Sequence, residues 1–506
     1  RDDPMTESVL VVGAGIAGLC SALALGPTGR EVTLVERDAP PPEGDADAAF
    51  RDWKRTGVGH LRQSHAFLAR LSLLLKADHP RLLEALAAFG VRELPFEAML
   101  TEAQRKDYRA QPTDADLTII TSRRTTLELV MRRYVETLPN VTIRSGVFAR
   151  RLITRTAADG TLSVVGLAGE TSEGPVELYA DIVLDAAGKG GDFTDQLVAE
   201  GATVRESSES AGILYFTRHY RLKPGCSEPP RIGNPPPNGD LGFLKFGVFP
   251  ADNGCFSITM CAPEIEYEIR KAIVNPDVFQ AMTTMLPGLR PWTDPELAEP
   301  TTKVFGMGDL QARWRDLVVD GKPAAHGYFA IGDNLIRTNP LYGRGCSFAA
   351  VAAYQLRDVL DQSADPVERA LAYHQAIQTE LKPFFDLMNK QDRAALRRAK
   401  AALTPGYKPS LKARLARSFA EDAVTIALRC DTGLLRQGMR GFHMLEHPEA
   451  WIKKPGNMAR ILMYWARGRK RNASAYPPKP GPEREEMMRG LGLDPQADMI
   501  PARQAA

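Results

Sequence analysis

Short apolar runs that end at turn residues recur along the first two thirds of the chain. The first run, Ser8–Val12, stops at a glycine-rich stretch, and a segment of helical composition follows at 19–25. Further apolar runs cover 31–35, 181–185 and 328–331, and the last two also end in small-residue turns. Continuous β-branched and apolar runs are typical of strands covered on both faces. The pattern therefore predicts an α/β fold around a buried parallel sheet.

Residues 205–310 follow a different pattern. Hydrophobic and polar positions alternate along 216–222 and along 241–262, as expected for antiparallel strands with two distinct faces. The sequence Ala-Asp-Asn-Gly at 251–254 is a strong hairpin signal, whereas the proline- and glycine-rich stretch 224–240 is typical of a loop. This region is predicted to form a second, antiparallel sheet.

The last third of the chain is predicted to be mainly helical. Apolar positions at helical spacing predict the helices 366–390, 392–403, 409–428 and 451–469. The stretch 476–506 is rich in proline and polar residues, so it is expected to be extended. Residues 1–8 are expected to be a lead-in that precedes the first strand.

Composition adds few constraints. The 506 residues are 44% hydrophobic and 25% charged, which is enough for a large core and argues against disorder. A net charge of +2 gives no reason to expect a nucleic-acid partner. No apolar run approaches the length that spans a bilayer.

The cysteines predict free thiols. No pair has the C-x-x-C spacing, and their scatter matches neither a disulfide framework nor a metal site. Free thiols persist in a reducing compartment, so a cytoplasmic protein is expected. The cysteines are Cys20, Cys226, Cys255, Cys261, Cys346 and Cys430.

The glycine-rich stretch after the first strand has the form G-x-G-x-x-G. Gly13 would allow the tight turn, Gly15 the close approach of a pyrophosphate, and Gly18 the close packing of helix on sheet. The helix that follows would direct unpaired N–H groups at the phosphates. Glu36 ends the second strand, where its carboxylate could accept hydrogen bonds from ribose hydroxyls. Strand, turn, helix, strand and acid in this order predict a dinucleotide site, with NAD and FAD both open at this point.

A later segment separates these two cofactors. The strand at 328–331 leads into Gly332-Asp333, and a loop then opens a helix at 347–360. With the earlier motif, this set resembles the class A flavoprotein monooxygenases, the group that contains para-hydroxybenzoate hydroxylase. It is also similar to squalene epoxidases, flavin-dependent halogenases and geranylgeranyl reductases. The resemblance implies one non-covalent FAD, with the N-terminus of the 347–360 helix directed at the flavin ring.

Two more segments extend the resemblance. Residues 121–124 and the helix after them are similar to the S-R-x-x-L-E helix of the family, and 58–68 resembles a segment that runs beneath the flavin. The strand 140–147 would lie beside the adenine. Together these segments give the expected FAD contacts: Gly13, Gly15, Ile16, Ala17, Gly18, Glu36, Arg37, Arg62, Arg123, Val147, Ala187, Gly188, Gly332, Asp333, Pro340, Gly343 and Gly345.

The resemblance also implies a division into domains. A discontinuous, Rossmann-like FAD-binding domain would comprise 8–204 and 311–362, with part of the substrate region inserted near 90–120. The antiparallel sheet of 205–310 would bind substrate, 363–475 would form a C-terminal helical region, and 476–506 a tail. Five aromatic residues are candidates to line an apolar cavity, with ordinary core packing as the alternative: Phe216, Phe243, Phe246, Phe249 and Phe256.

The sequence departs from the family at one motif that also helps to bind NADPH. Asp185-Ala186-Ala187-Gly188 is followed by Lys189 where the family has arginine, and no serine follows. Electrons from NADPH or NADH could therefore arrive directly or through a separate flavin reductase. The halogenase signature W-x-W-x-I-P is absent.

The resemblance implies a monooxygenase, either an epoxidase or a hydroxylase. Dioxygen would add at flavin C4a, and the resulting hydroperoxide would deliver one oxygen atom to an apolar or aromatic small molecule. A flavin-dependent reductase of an alkene such as an isoprenoid, a halogenase-like enzyme, and a non-catalytic flavoprotein module are the alternatives. No catalytic residue is assigned. His65 is the candidate for that role, with a structural histidine as the alternative.

The segment 451–471 carries seven basic residues and no acidic one. A basic helix with aromatic residues can lie on an anionic membrane, so peripheral membrane contact is one expectation for it. A basic helix docked on the protein is the other.

Overall fold

The computed structural model describes residues 6–188, 191, 193–230 and 235–501. The N-terminal lead-in up to residue 5, Lys189 and Gly190 after the Asp185–Gly188 motif, Asp192, residues 231–234 of the 224–240 loop, and the last five residues of the tail lie outside the described residues.

Helices cover most of the last third of the chain. In chain order they are α1 (Ile16–Leu25), α2 (Ala46–Asp52), α3 (Ala69–Asp78), α4 (Pro80–Ala88), α5 (Glu102–Asp107), α6 (Arg124–Val135), α7 (Phe193–Ala199), α8 (Tyr267–Ala272), α9 (Pro276–Met285), α10 (Gly345–Gln362), α11 (Pro366–Glu380), α12 (Lys382–Leu403), α13 (Leu411–Ser418), α14 (Thr425–Cys430), α15 (Thr432–Phe442), α16 (Ala450–Lys453), α17 (Pro455–Arg471) and α18 (Arg484–Gly490).

The strands of the described residues all lie before α10, interspersed with the first nine helices. In chain order they are β1 (Ser8–Val12), β2 (Glu31–Glu36), β3 (Arg92–Leu94), β4 (Ile119–Thr121), β5 (Val141–Ser145), β6 (Phe148–Thr156), β7 (Leu162–Thr171), β8 (Gly174–Tyr179), β9 (Ile182–Asp185), β10 (Arg205–Ser210), β11 (Ile213–Leu222), β12 (Asn238–Asp240), β13 (Lys245–Pro250), β14 (Cys255–Pro263), β15 (Ala298–Pro300), β16 (Phe305–Met307), β17 (Gln311–Asp316), β18 (Val318–Val319), β19 (Lys322–Pro323), β20 (Tyr328–Ala330) and β21 (Ile336–Arg337).

The chain forms two compact units, and both are discontinuous in sequence. The first comprises 1–92, 122–210 and 311–386, and the second comprises 93–121, 211–310 and 387–506. Each unit has its own sheet and its own hydrophobic core.

The first unit is built on a five-stranded parallel sheet in the order β20-β9-β1-β2-β5. The apolar runs of β1 and β9 are almost completely buried, as expected for strands that are covered on both faces. The neighbouring sheet β6-β7-β8 is antiparallel and shares a core with β1 and β9. The predicted α/β class with a Rossmann-like parallel sheet is confirmed.

The second unit contains an antiparallel sheet in the order β12-β13-β14-β11-β15. The predicted hairpin joins β13 to β14, and the Ala251 N–H donates to the Cys255 carbonyl across it at 2.9 Å. One face of this sheet packs on α9 and the turn at Trp292 to form the largest core of the unit. The antiparallel sheet expected for this region is therefore present.

Two helix boundaries differ from the sequence prediction. The break predicted near residue 391 is wrong: α12 runs through it, and the chain breaks at Leu381 instead. Pro383 accounts for this, because proline has no N–H to donate and clashes with the carbonyl one turn earlier, yet fits the first turn of a new helix. The helix predicted to begin at Trp451 is likewise divided before Pro455.

The expectation of an extended tail is wrong for 484–490, which forms α18. Two acidic residues lie in its first turn, where the helix dipole favours them. Met487 and Met488 are buried in the core of the second unit. Their packing supplies the stability that an isolated helix of this length lacks. Among the described residues, no helix has both the length and the apolarity needed to cross a membrane.

Candidate cofactor site

Turns from several strands meet at the carboxyl edge of the parallel sheet. A Cβ on Gly13, after β1, would lie 2.4 Å from the carbonyl oxygen of Ala186, after β9. A Cβ on Gly332, after β20, would lie 2.8 Å from the Cβ of Ala17 in α1. Ligands of open α/β sheets bind at this edge. Three sequence-predicted turns, distant along the chain, are therefore brought together at one place.

The three glycines of the first motif have different surroundings. Gly13 has φ of +105° and Gly18 would place a Cβ 1.9 Å from the Gly13 carbonyl oxygen, so the protein itself requires glycine at both positions. Gly15 has an ordinary extended backbone, and a Cβ there would meet only Arg55 Nη2, at 3.8 Å. The space beside Gly15 is open, as expected where a ligand approaches the backbone.

Helix α1 begins at this turn without a side-chain cap on Gly15. The first N–H groups of a helix have no partner within it, and they carry the positive end of its dipole. Ile16 and Ala17 lie in this first turn. The turn is thus suited to an anion such as a pyrophosphate.

Glu36 is buried at the end of β2 and faces the same turn. Its Oε2 accepts from the Ala14 N–H at 2.9 Å, and its Oε1 accepts from the Asp38 N–H at 3.0 Å. The Val147 N–H, two residues beyond the end of β5, donates to the Glu36 carbonyl at 3.0 Å and holds this segment at the edge of the sheet. The Arg37 side chain is partly exposed and lies 3.8 Å from Asp38.

Arg55 was missed by the sequence analysis and occupies the middle of the site. Its Nη2 lies 3.2 Å from Glu36 Oε2, its Nη1 2.9 Å from Glu128 Oε2, and its Nε 3.5 Å from Asp38 Oδ2. The side chain is only 2% exposed. One guanidinium therefore lies within ion-pair distance of three carboxylates close to Gly15. No spacing rule links these four residues, which explains why the sequence did not reveal them.

The electrostatics of Asp38 follow from this cluster. Burial raises the pKa of Asp38, but hydrogen bonds from the Thr56 hydroxyl and the Gly57 N–H, together with Arg55, outweigh that effect. The pKa of Asp38 is consequently held below its usual value, so the carboxylate is ionised at neutral pH.

Arg124 belongs to this buried network. Arg124 Nε donates to Glu128 Oε1 at 2.7 Å, and its Nη1 lies 3.1 Å from His65 Nε2. Arginine is always a donor, so His65 Nε2 accepts and its Nδ1–H donates to the Gln63 carbonyl at 2.8 Å. These bonds assign His65 as a neutral, hydrogen-bonded imidazole, which favours the structural interpretation of this residue.

Two of the three arginines predicted to contact FAD, Arg62 and Arg123, lie together on one aromatic ring. The guanidinium carbons of Arg62 and Arg123 are 5.6 and 5.1 Å from the ring centroid of Phe50. Arg123 also pairs with Asp47 at 2.7 Å, and Arg62 donates to the Phe50 carbonyl at 2.7 Å. Burial lowers the pKa of Arg62.

The turn after β20 leads towards the start of α10. The Arg313 guanidinium donates to the Asp333 carbonyl at 2.7 Å and so holds the Gly332-Asp333 turn. Gly343 has φ of +64°, and a Cβ there would lie 3.1 Å from the Cβ of Ala66. The loop before α10 therefore contacts the segment that contains His65. Pro340 of this loop and Gly345 at the start of α10 are exposed.

Asp185, at the end of β9, is completely buried. It accepts from the Tyr328 hydroxyl at 2.8 Å and from the Ala187 N–H at 3.2 Å. Burial raises the pKa of Asp185 even though these hydrogen bonds favour the charged form. Ala187 and Gly188 are partly exposed beside it, and Gly188 has φ of +68° with open space around its Cβ position.

The residues present fit FAD. The open space at Gly15, the uncapped start of α1 and the acid at the end of β2 match the demands of a pyrophosphate and a ribose. Arg55 lies next to the turn that would hold the phosphates, where its ion pair with Glu36 fixes the position of that carboxylate.

Four of the five phenylalanines considered for a substrate cavity belong to the core instead. Phe256 stacks on Tyr220 at 5.3 Å and meets Trp292 edge-on at 5.2 Å. Phe216, Phe243, Phe246 and Phe256 all lie in this buried cluster, which favours the core-packing alternative for these four residues.

Phe249 differs from these four. In the β13–β14 register Phe249 pairs with Ser257. Phe256 immediately precedes Ser257 on β14. Adjacent strand residues point to opposite faces, so Phe249 lies on the other side of the sheet. On the neighbouring strands that face carries Thr217 and Thr259, whose Oγ1 atoms are 2.6 Å apart.

No family model matches the chain. Protein Rv3254 of Mycobacterium tuberculosis is 26% identical to it over 372 residues, which make up 70% of this chain and 73% of that protein. The flavin-dependent brominase Bmp2 superposes with a TM-score of 0.59 at 14% identity, over 93% of this chain and 100% of its own.

Two solved monooxygenases share the same fold. PqsL, a probable FAD-dependent monooxygenase from Pseudomonas aeruginosa, gives a TM-score of 0.53 at 16% identity, over 78% of this chain and 96% of its own. The p-nitrophenol 4-monooxygenase PnpA from Pseudomonas putida DLL-E4 gives 0.55 at 16% identity, over 87% of this chain and 98% of its own. The fold expected from the sequence resemblance is thus confirmed as one shared with flavin-dependent monooxygenases and halogenases.

Proposed function

We propose that the chain is an FAD-dependent oxidoreductase, and specifically a monooxygenase that acts on an apolar or aromatic small molecule. The observation that carries the proposal is the meeting of the Gly13–Gly18 turn, Glu36 and the Gly332-Asp333 turn at one edge of the parallel sheet. The fold shared with flavin-dependent enzymes supports the same choice of cofactor.

In this proposal the nucleotide half of FAD lies along the first motif. Gly15, Ile16 and Ala17 approach the pyrophosphate, and Glu36 binds the ribose hydroxyls. Arg55 supports both contacts because it lies between Gly15 and Glu36. The other proposed contacts of this half are Gly13, Gly18, Arg37, Arg62, Arg123, Arg124 and Val147.

The flavin half lies towards α10. When bound, FAD would supply the redox chemistry, accepting electrons from a nicotinamide cofactor and passing them to dioxygen. The N-terminus of α10 favours negative charge on the nearby ring edge. The proposed contacts of this half are Ala187, Gly188, Gly332, Asp333, Pro340, Gly343 and Gly345.

The source of electrons is a separate part of the proposal. The motif at 185–189 departs from the one that helps single-component hydroxylases bind NADPH, which favours supply through a flavin reductase. The purified protein with FAD should then oxidise NADH or NADPH slowly alone and rapidly once a general flavin reductase is added. Rapid oxidation without a reductase, rising with substrate, would point to the single-component type.

Halogenation is the second candidate, because the brominase Bmp2 shares the fold. The absence of the W-x-W-x-I-P signature argues against it. Product masses from parallel assays with and without bromide or chloride separate the two reactions, since oxygenation needs no halide.

One rapid-mixing experiment distinguishes oxygenation from reduction of an alkene. The holoprotein is reduced without oxygen, mixed with oxygenated buffer, and followed by stopped-flow absorbance. A monooxygenase should give a transient that differs from both the reduced and the oxidised flavin spectra. Direct return to the oxidised spectrum, together with flavin oxidation by isoprenoid alkenes without oxygen, would favour a reductase. A flavoprotein with no catalytic role should sustain no NADH or NADPH turnover with any reductase.

The contacts of α16 and α17 argue against membrane contact through 451–471. Trp451 and Ile461 are buried in a core with α14 and α15. Arg460 and Arg469 pair with Asp431 and Asp422 at 2.7 and 3.0 Å. These contacts favour a basic helix docked within the second unit.

A further inference from the structure

One basic segment of the second unit is exposed along its whole length. Every residue from 405 to 417 is exposed, and α13 within it has no buried residue. The chain remains helical beyond α13, through a π-helical stretch at Phe419–Val424 and then α14. Ala423 and Ala427 of those later turns are buried in the helical core. The exposed basic segment, 405–417, thus includes the projecting end of an anchored helix.

All charged residues of this segment are basic. It reads P-G-Y-K-P-S-L-K-A-R-L-A-R, with four basic residues and no acidic one. Arg417 pairs with Glu421 at 2.8 Å, whereas Lys412 and Arg414 form no ion pair within the described residues. Two positive charges of α13 are consequently available to an anionic partner.

The same helix also exposes apolar side chains. Leu411 and Leu415 are 65% and 51% exposed, and Tyr407, just before the helix, is 51% exposed. Residues four apart lie on one helix face, so the two leucines form a short apolar stripe. At 100° per residue, Lys412 and Arg414 lie on opposite sides of that stripe.

This arrangement matches the boundary between lipid headgroups and acyl chains. The leucines can enter the boundary while the flanking lysine and arginine extend their stems and keep their charges at the phosphate level. Two leucines and a tyrosine are too small a patch for a stable protein dimer, which needs roughly 800 Å² on each partner. Charge then favours an anionic surface over a second copy of this chain.

We propose that the exposed basic segment binds peripherally to anionic phospholipid bilayers. The contact uses Leu411 and Leu415 for shallow insertion and Lys412 and Arg414 for the headgroups. It lies on α13 and not on α17, and it does not depend on the proposed flavin chemistry.

The test is co-sedimentation of the full-length protein with vesicles. Vesicles of phosphatidylcholine with about one third phosphatidylglycerol should bind the protein, and pure phosphatidylcholine vesicles should not. The double variant Lys412→Glu/Arg414→Glu should weaken partitioning by about 30-fold or more, since each basic residue near an anionic surface contributes about fivefold. Leu411→Gln/Leu415→Gln should weaken it by about tenfold. Raised salt should also release the protein.

Matched variants elsewhere on the surface serve as controls. Lys76 and Arg81 are exposed, and Lys76→Glu/Arg81→Glu makes the same change in net charge. Leu371 is an exposed leucine on α11, for the variant Leu371→Gln. Both controls should bind vesicles like the unaltered protein, and all variants should keep its melting temperature, because the altered side chains are exposed.

Three results would overturn the proposal. One is the absence of binding to the anionic vesicles by the unaltered protein. Another is equal weakening by the control pair, which would indicate bulk charge alone. The third is a dimer in solution that the leucine variants dissociate without any vesicle binding, which would assign the stripe to a second copy of the chain.

Discussion

Individual residues of the first motif differ in what constrains them. Gly18 is fixed by the protein, because its Cβ would overlap the Gly13 carbonyl, whereas Gly15 faces open space. The same residue type in one motif therefore has two separate roles, one in folding and one in binding.

Substitution separates these two roles. Gly15→Val should leave the melting temperature of the apoprotein unchanged and weaken FAD binding by about 100-fold or more, since its side chain would occupy the phosphate position. Gly18→Ala should lower the melting temperature sharply, because backbone atoms would have to move. Differential scanning fluorimetry and FAD titration measure the two effects. A Gly15→Val variant that binds FAD normally would contradict the assignment.

At the scale of elements, the N-terminus of α10 is proposed to stabilise the reduced flavin. Gly345 is exposed at the start of α10, and a Cβ there would make only an ordinary contact, 3.6 Å from Thr338 Oγ1. A negative charge at this position would offset the positive potential that the N-terminus of α10 creates at the flavin ring.

Gly345→Asp should therefore have a lower two-electron midpoint potential than the isosteric Gly345→Asn. The expected difference is about 30 mV, which corresponds to about 1.4 kcal/mol for a two-electron couple. Spectroelectrochemical titration of both holoproteins measures it. Equal potentials in the two variants would place the flavin away from α10.

The antiparallel sheet gives a second test at this scale. Phe256→Ala should lower the free energy of unfolding of the second unit by about 3–5 kcal/mol, because the ring is fully buried between Tyr220 and Trp292. Phe249→Ala, on the opposite face, should cost about 1 kcal/mol or less. Urea unfolding followed by tryptophan fluorescence compares them. Similar losses in both variants would contradict the assignment of faces.

The features that were predicted well from the sequence depend on residues close together in the chain, whereas the contacts that were missed join distant residues. The strands, the first motif and the β13–β14 hairpin depend on neighbouring residues, so period and turn chemistry reveal them. The role of Arg55 depends on Glu36, Asp38 and Glu128, which only the folded chain brings together. Alternation indicated two faces for the antiparallel sheet but did not indicate which of them packs on α9.

At the scale of the whole molecule, both units assemble from distant segments. In the second unit, Asp114 of the 93–121 segment forms a two-point ion pair with Arg436 of α15, at 2.6 and 3.1 Å. Burial raises the pKa of Asp114, but bonds from Arg436, Tyr108 and the Gln111 N–H outweigh it. The pKa of Asp114 is therefore held below its usual 3.8.

A carboxyl group whose pKa is lower in the folded than in the unfolded protein stabilises the fold at pH values above its unfolded-state pKa. This stabilisation is lost as the pH falls through the folded-state pKa. Asp114→Asn should cost about 3 kcal/mol at neutral pH, because it leaves Arg436 without its counter-charge. The difference from the unaltered protein should shrink below about pH 4. Glu485→Gln, which removes an exposed ion pair, should cost less than about 1 kcal/mol at any pH. Denaturation at several pH values measures these differences, and a loss that does not depend on pH would contradict the ion-pair account.

The central claim is that one FAD is held at the carboxyl edge of the parallel sheet. Apoprotein mixed with excess FAD, freed of unbound cofactor by gel filtration, and examined by visible absorbance tests this most directly. The account predicts a yellow protein with about one FAD per chain, whereas Gly15→Val should elute colourless. Unaltered protein that folds, yet retains no flavin after this treatment, would contradict it.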